Sequence, residues 1–169
     1  VYYDVDTIAG KSNFSYNGSF IEEFEQKAGG DAAILVQAQE TGQIPLSYPV
    51  AGFADLIGQD GNQEQRHSAR VSWRKSAFGA SLSGSRIGSF YQSSLTLEDG
   101  TRYIIPAMTT YNATFDYRFD MNNVDTRLRL GIRNLTNERA PLADNYFGFF
   151  ADAHRDYGRS YYLDFQSKF

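Results

Sequence analysis

The chain contains no cysteine, and prolines number only four in 169 residues. Without cysteine there can be no disulfide framework and no thiolate metal site. Long hydrophobic runs are missing too; the longest purely apolar stretch is Ala32–Val36. A membrane-spanning helix needs about 20 such residues, so none is expected. No charged stretch followed by an apolar core opens the sequence, so a signal peptide is not expected within it. A basic surplus is also lacking: the net charge is −4, which argues against nucleic acid as a partner. Branched aliphatics are scarce for a water-soluble core. Leu, Ile and Val together number 26, no more than Phe, Tyr and Trp together. That balance fits neither disorder nor a helical bundle.

What is present is a period of two. Tyr161, Leu163, Phe165, Ser167 and Phe169 alternate with Tyr162, Asp164, Gln166 and Lys168. Side chains alternate across a strand, so this segment has one apolar and one polar face. Val124, Thr126, Leu128, Leu130 and Ile132 alternate in the same way with Asp125, Arg127, Arg129, Gly131 and Arg133. Tyr111 to Phe119 alternates with Asn112 to Asp120, and Ala69, Val71 and Trp73 alternate with Arg70, Ser72 and Arg74. Phe14, Tyr16, Gly18 and Phe20 continue the pattern until Ile21 and Glu22 break it. Near 78–92 the phase slips, because Arg86 falls on the apolar side; a bulge near Gly84–Gly88 is expected to repair it.

Seven strands follow, at roughly 1–8, 11–25, 65–75, 78–92, 107–120, 123–135 and 159–169, and every proline lies between them. The connections alternate in length. Short ones fall at Ala9-Gly10, Ser76-Ala77 and Met121-Asn122, and long ones at 26–64, 93–106 and 136–158. Short and long connections therefore sit at opposite ends of one antiparallel sheet. The only helix the pattern suggests is a short one over Asp31–Gln39. The apolar face can look inward, as in a soluble sandwich or ligand-binding barrel, or outward to lipid. Lipid is favoured by charges gathered on the polar face, by aromatics near strand ends (Trp73, Phe78, Phe119, Tyr161, Phe169) and by long loops on one side only.

The stretch Arg127-Leu-Arg-Leu-Gly-Ile-Arg-Asn-Leu-Thr-Asn-Glu-Arg-Ala-Pro141 resembles the penultimate strand and following loop of TonB-dependent outer-membrane receptors. Tyr157-Gly-Arg-Ser-Tyr-Tyr-Leu-Asp-Phe-Gln-Ser-Lys-Phe169 looks like the family's last strand, although Ser167 stands where an apolar residue is more usual. Arg66–Trp73, a short turn and Gly79–Gly84 match a hairpin common in such barrels. The likeness covers 60–169 well and 1–25 loosely.

The resemblance implies an all-β fold: an antiparallel, up-and-down transmembrane β-barrel of about 22 strands with a plugged lumen. Such a barrel needs roughly 220 residues in strands at about 10 each. The chain, 1–169, is therefore expected to supply the seven C-terminal strands, with plug and earlier strands elsewhere. Implied with it are the bacterial cell outer membrane, its lipid, an inner-membrane TonB complex acting through the plug, and active uptake of a scarce small-molecule ligand. That ligand would be a carbohydrate or a siderophore-type chelate. Arg118, Arg127, Arg129, Arg133 and Asp116 would face the lumen. Tyr161, Leu163, Phe165 and Phe169 would also be the signal read by the barrel-assembly machinery. Two other readings stay open: a complete eight-stranded outer-membrane barrel acting as adhesin or anchor, and a soluble ligand-binding β-barrel.

Ligand would be met on the long loops. In 136–158, Tyr146, Phe147, Phe149, Asp152, His154 and Arg155 combine rings with charge, which suits ring stacking on a sugar or charge pairing with a chelate. The same aromatics can instead pack loop against loop. The apolar stretch Ile44–Phe53 can likewise reach ligand or fold its loop onto the rim. No enzyme is expected: the two histidines, His67 and His154, stand in no HExxH spacing, and no GxSxG motif occurs. No metal site or cofactor is expected either, and Asp99-Gly100 reads as a turn rather than a calcium loop. Asn13, Asn17, Asn112 and Asn134 open glycosylation-like triplets, but all fall on expected strands.

Overall fold

The computed structural model describes residues 1–48, 50, 54–121 and 124–168. The chain folds as an antiparallel all-β structure with one short helix. Its elements are β1 (Tyr2–Thr7), β2 (Gly10–Phe20), β3 (Glu25–Gln26), α1 (Asp31–Glu40), β4 (Ala54–Asp55), β5 (Gln65–Lys75), β6 (Phe78–Ile87), β7 (Phe90–Thr96), β8 (Arg102–Ile105), β9 (Met108–Met121), β10 (Val124–Arg133) and β11 (Ser160–Lys168). Seven of these make one sheet in the order β1-β2-β5-β6-β9-β10-β11. The strands therefore pair in sequence order, up and down, and β1 and β11 are its two edges.

The turns at one end are tight. Thr7 pairs with Gly10, and Lys75 with Phe78, leaving two residues in each turn. Ser76 takes φ 50° there, the left-handed conformation that such a hairpin demands. Of the third expected turn, Met121 closes β9, while Asn122 lies outside the described residues. So do Pro49, Phe53 and Phe169. In the described part of the apolar stretch in the first loop, Leu46 and Tyr48 are exposed.

Three expectations are corrected. The second strand, expected over 11–25, ends at Phe20, and Glu25–Gln26 pairs with Ala54–Asp55 instead. No bulge interrupts β6: its pairing with β9 runs unbroken from Phe78↔Tyr117 to Ile87↔Met108. Arg86 therefore does stand on the apolar side. The strand expected to run to Gln92 ends at Ile87 instead. The Gly88 amide bonds the Gln65 carbonyl at 3.0 Å, and a Cβ at Gly88 would come within 2.8 Å of that oxygen. This close approach turns the chain out of the sheet. Phe90 onward then starts a hairpin of its own, β7 with β8, which takes the last residues of the expected strand and most of the 93–106 connection read as a plain loop. The helix foreseen within the first loop is α1, with Asp31 in its first turn, where a carboxylate suits the helix dipole.

The sheet has two unlike faces. Register places Tyr3, Phe14, Val71, Leu82, Phe115, Leu130 and Leu163 on one side. Those residues are open: Leu130 is 54% exposed and Phe115 45%. On the other side Asp116, the neighbour of Phe115, is 5% exposed. A recess of about 420 Å³ is bordered by Asp4, Lys11, Arg70, Ser81, Asp116 and Arg127, which come from six different strands. The sheet therefore curls about its polar side and turns its apolar side outward. The buried apolar side chains among the described residues are Phe90, Ile105 and Met108. All three lie at the long-loop end, so the sheet itself has no dry core.

Candidate functional site

The polar face is organised around one carboxylate. Arg74, Gly79, Asp116 and Arg129 form a row across β5, β6, β9 and β10. Gly79 has no side chain to block this row; a Cβ there would lie 2.8 Å from Arg74 Nη2 and 2.9 Å from both Asp116 oxygens. Arg74 Nη2 therefore reaches over the gap and donates to Asp116 Oδ2 at 2.9 Å, while Arg127 Nη2 donates to Oδ1 at 2.9 Å. Charge-assisted bonds of this kind are roughly twice as strong as neutral ones. Donors remain over. Arg74 Nη1, Arg127 Nε and Arg129 Nε are buried with no hydrogen-bond partner among the described residues, as is the acceptor Asp164 Oδ1.

Register puts nine cations on this face (Lys11, Arg66, Arg70, Arg74, Arg118, Arg127, Arg129, Arg133, Lys168) against six carboxylates (Asp4, Asp6, Asp116, Asp120, Asp125, Asp164). The face carries surplus positive charge in a chain whose total is −4. Arg118, Arg127, Arg129, Arg133 and Asp116 all stand on it. The sequence reading passed over Arg74. Its parity marks the right face, but its meeting with Asp116 depends on β6 lying between them with a glycine at the crossing.

At the long-loop end, three connections pack into one layer. Asp60, in the first, accepts the Ser93 amide at 2.9 Å and also bonds the Ser93 hydroxyl. Burial works against its charge, but the bonds from Ser93 and Gln59 outweigh it and hold the Asp60 carboxyl below its ordinary range. The Gln92 side chain of β7 bonds both backbone groups of Asp144, donating to its carbonyl at 2.6 Å and accepting from its amide at 3.0 Å. Tyr103 donates to the Leu142 carbonyl at 3.0 Å. Phe150 packs edge-on against Phe90 with ring centres 5.3 Å apart, and it fills the space over Gly61.

The residues expected to meet ligand separate in this layer. Tyr146 and Phe147 stand at its tip, 92% and 65% exposed, with their rings edge to face at 4.9 Å. Phe149 is half-buried and its ring centre is 6.1 Å from that of Phe147. Asp152 is exposed. His154 lies inside the layer, 1% exposed and stacked on Phe90 at 5.6 Å. Burial, with Arg66 nearby, pushes its pKa below the ordinary value, so the ring is held neutral. In this arrangement it is a packing group, out of reach of a ligand at the surface. Arg155 is exposed and helps line a recess of about 280 Å³ with Thr110, Asn112 and Arg133, at the outer mouth of the polar face. Tyr146, Phe147 and Phe149 do not line that recess.

The Asn134-Leu135 motif has a structural part in the same region. Asn134 takes φ 53°, its Nδ2 donates to the Glu138 carbonyl at 2.7 Å, and its Oδ1 accepts the Glu138 amide at 2.9 Å. Its own amide bonds Asn112 Oδ1 at 3.0 Å. One side chain thus closes the start of the loop and ties it to β9. Farther along, Arg139 clasps Asp156 with two bonds and the Ala140 amide adds a third, which holds the Asp156 carboxyl at about 2. Among the described residues no His, Asp or Glu cluster could hold a metal ion, and no helix is long and apolar enough to cross a membrane. No known protein family, curated protein or solved structure matches the chain.

Proposed function

We propose that this chain is wall and outer loops of a larger outer-membrane barrel of the TonB-dependent kind, engaged in active uptake of a scarce carbohydrate or siderophore-type chelate. The observation that carries the reading is the sidedness of the sheet. An open apolar face, a charged face curled inward, tight turns at one end and packed loops at the other are what a barrel wall between lipid and a wet lumen requires. Two edge strands also call for further strands, because free edges and an exposed apolar face aggregate in water.

In this reading the apolar face meets lipid. The unpartnered guanidinium donors around Asp116 receive the plug, and the plug carries the pull of the inner-membrane TonB complex. Tyr161, Leu163 and Phe165, on exposed positions of β11, serve the assembly machinery. Arg155 and Arg133 guard the route from the loops into the lumen, and Tyr146 and Phe147 offer rings to an incoming ligand. The eight-stranded alternative is less well supported. It needs an eighth strand from the first long connection, where the described residues supply two-residue β3 and β4, paired with each other.

The test begins with the chain together with its upstream coding sequence, expressed in a Gram-negative host. The product is expected in the outer-membrane fraction, with growth on the scarce ligand lost when the inner-membrane TonB protein is deleted and growth on an abundant, freely diffusing nutrient retained. A chain that instead folds as a stable monomer in detergent-free buffer, with a cooperative melt, would overturn the proposal.

A further inference from the structure

The apolar face carries an unexplained charge pattern. No Asp or Glu of the seven strands stands on it; register sends every one to the polar side. Its ionisable basic groups are His67, Arg86 and Lys75, and they occupy its two ends. Lys75 borders the tight turn, while His67 and Arg86 are cross-strand partners at the long-loop end. An acid on a lipid-facing side costs less than an arginine does. Desolvation alone therefore gives no reason for cations only.

The surroundings of Arg86 are equally specific. It is exposed and forms no ion pair among the described residues; Nη1 donates to Thr109 Oγ1 at 3.2 Å, its one side-chain partner there. That leaves most of the guanidinium fork open. Aromatic rings gather beside and below it. His67 is held by the Tyr16 hydroxyl at 2.8 Å on Nδ1 and by Gln65 Oε1 at 3.0 Å on Nε2, with Phe20 edge-on at 5.3 Å. Tyr111, one rung below Arg86, lies over Gly84, where a Cβ would meet its ring at 3.2 Å. Amphipathic rings at this level are typical of a membrane's interfacial zone.

We infer that Arg86 and its ring shelf of Tyr16, Phe20, His67 and Tyr111 form a site for the phosphate of an outer-leaflet lipid headgroup that carries net negative charge, with no cation of its own to compete for that phosphate. The inference rests on the membrane reading above. The planar fork suits bidentate bonding to phosphate oxygens, and the rings pack against the upper acyl chain. Nothing negative on this face competes for the cation.

The full chain, with its upstream strands, is reconstituted in phosphatidylcholine vesicles containing about one third phosphatidylglycerol. The preference of the protein-bound lipid shell for spin-labelled phosphatidylglycerol over spin-labelled phosphatidylcholine is then read by electron paramagnetic resonance. Arg86→Gln is expected to lower that preference about threefold or more, as loss of a charge-assisted bidentate contact should. Arg102→Gln removes the same charge from the outer hairpin and is expected to leave it unchanged. Equal preference in wild type and Arg86→Gln, or an equal drop in both variants, overturns the site while leaving membrane insertion intact. Failure of the wild type to insert, read as loss of heat-modifiable migration, overturns the membrane reading itself and this site with it.

Discussion

Asp116 is the residue on which the polar face turns. It accepts from two arginines on different strands while almost no water reaches it. Replacing it with Asn keeps the shape and removes the charge, leaving Arg74 and Arg127 facing each other across Gly79. Breaking a fully buried pair costs about 3–5 kcal/mol, and because both arginines keep some water, the expected loss for Asp116→Asn is nearer about 2 kcal/mol. The urea midpoint of the protein in vesicles measures it, and a midpoint equal to wild type would mean the bridge contributes nothing. Gly131 has a plainer reason for being glycine. Its ideal Cβ would lie 2.1 Å from Tyr162, the ring that Arg133 covers at 5.0 Å. Gly131→Ala should therefore push the far end of the half-exposed Tyr162 ring aside, lowering the same urea midpoint by less than the ~1–3 kcal/mol that overpacking costs in a closed core. At this scale the sequence told which face a residue occupies, because parity is local. It did not tell which residues meet, because Arg74 and Asp116 are 42 positions apart and join only through the order of strands between them.

The loops are elements with two separate sensitivities to acid. Asp156 is ionised against Arg139 and the Ala140 amide, and its folded pKa of about 2 lies below the unfolded value of about 3.9. A depressed carboxylate contributes stability above its unfolded pKa and loses it as pH falls through the folded one. The clasp on the last loop should therefore loosen between about pH 4 and pH 2. Pepsin, which works in that window, should cut near Tyr146 and Phe147 faster as pH drops. Asp156→Asn should already be cut fast at pH 4, so a wild type that matches the variant throughout would refute the clasp. His154 acts at a higher pH. Its pKa is depressed by burial, so the folded layer needs the neutral ring, and acid below about pH 6.5 should weaken it by favouring the unfolded, protonated form. His154→Phe keeps the stack on Phe90 and removes the titration. Protease resistance of the loops should then stop changing between pH 7 and pH 5.5, while the lower transition stays. The sequence marked these loops by length and by Asn134. It hid the β7–β8 hairpin, because Gly88 diverts the chain while the β-rich residues run on. It also hid the burial of His154, which depends on Phe90 and Phe150 arriving from two other segments.

At the scale of the whole molecule, the alternation of two kinds of side chain across seven strands, with tight turns and long connections in turn, is enough to dictate the sheet, its order and its long-loop end. What alternation cannot give is the direction of curl, since either face of a two-faced sheet can close inward. The folded chain has one direction: Leu130 and Phe115 are open and Asp116 is enclosed. The medium outside follows from this only as a proposal, and a pair of neighbouring substitutions tests it. Leu130 lies well inside β10, pairs with Phe115 and Leu163, and points outward. If lipid covers it, Leu130→Arg must bury a charge in hydrocarbon and should cost about 2–4 kcal/mol, read as lost folding into vesicles. If water covers it, the same change removes an exposed apolar side chain and should improve recovery. Arg129→Leu points the other way. It spares the apolar face and removes from the polar face a cation whose Nε has no partner among the described residues, so folding into vesicles should survive while whatever docks there is perturbed. The two substitutions are adjacent in sequence and similar in size, and only a sheet between lipid and water makes the first severe and the second mild.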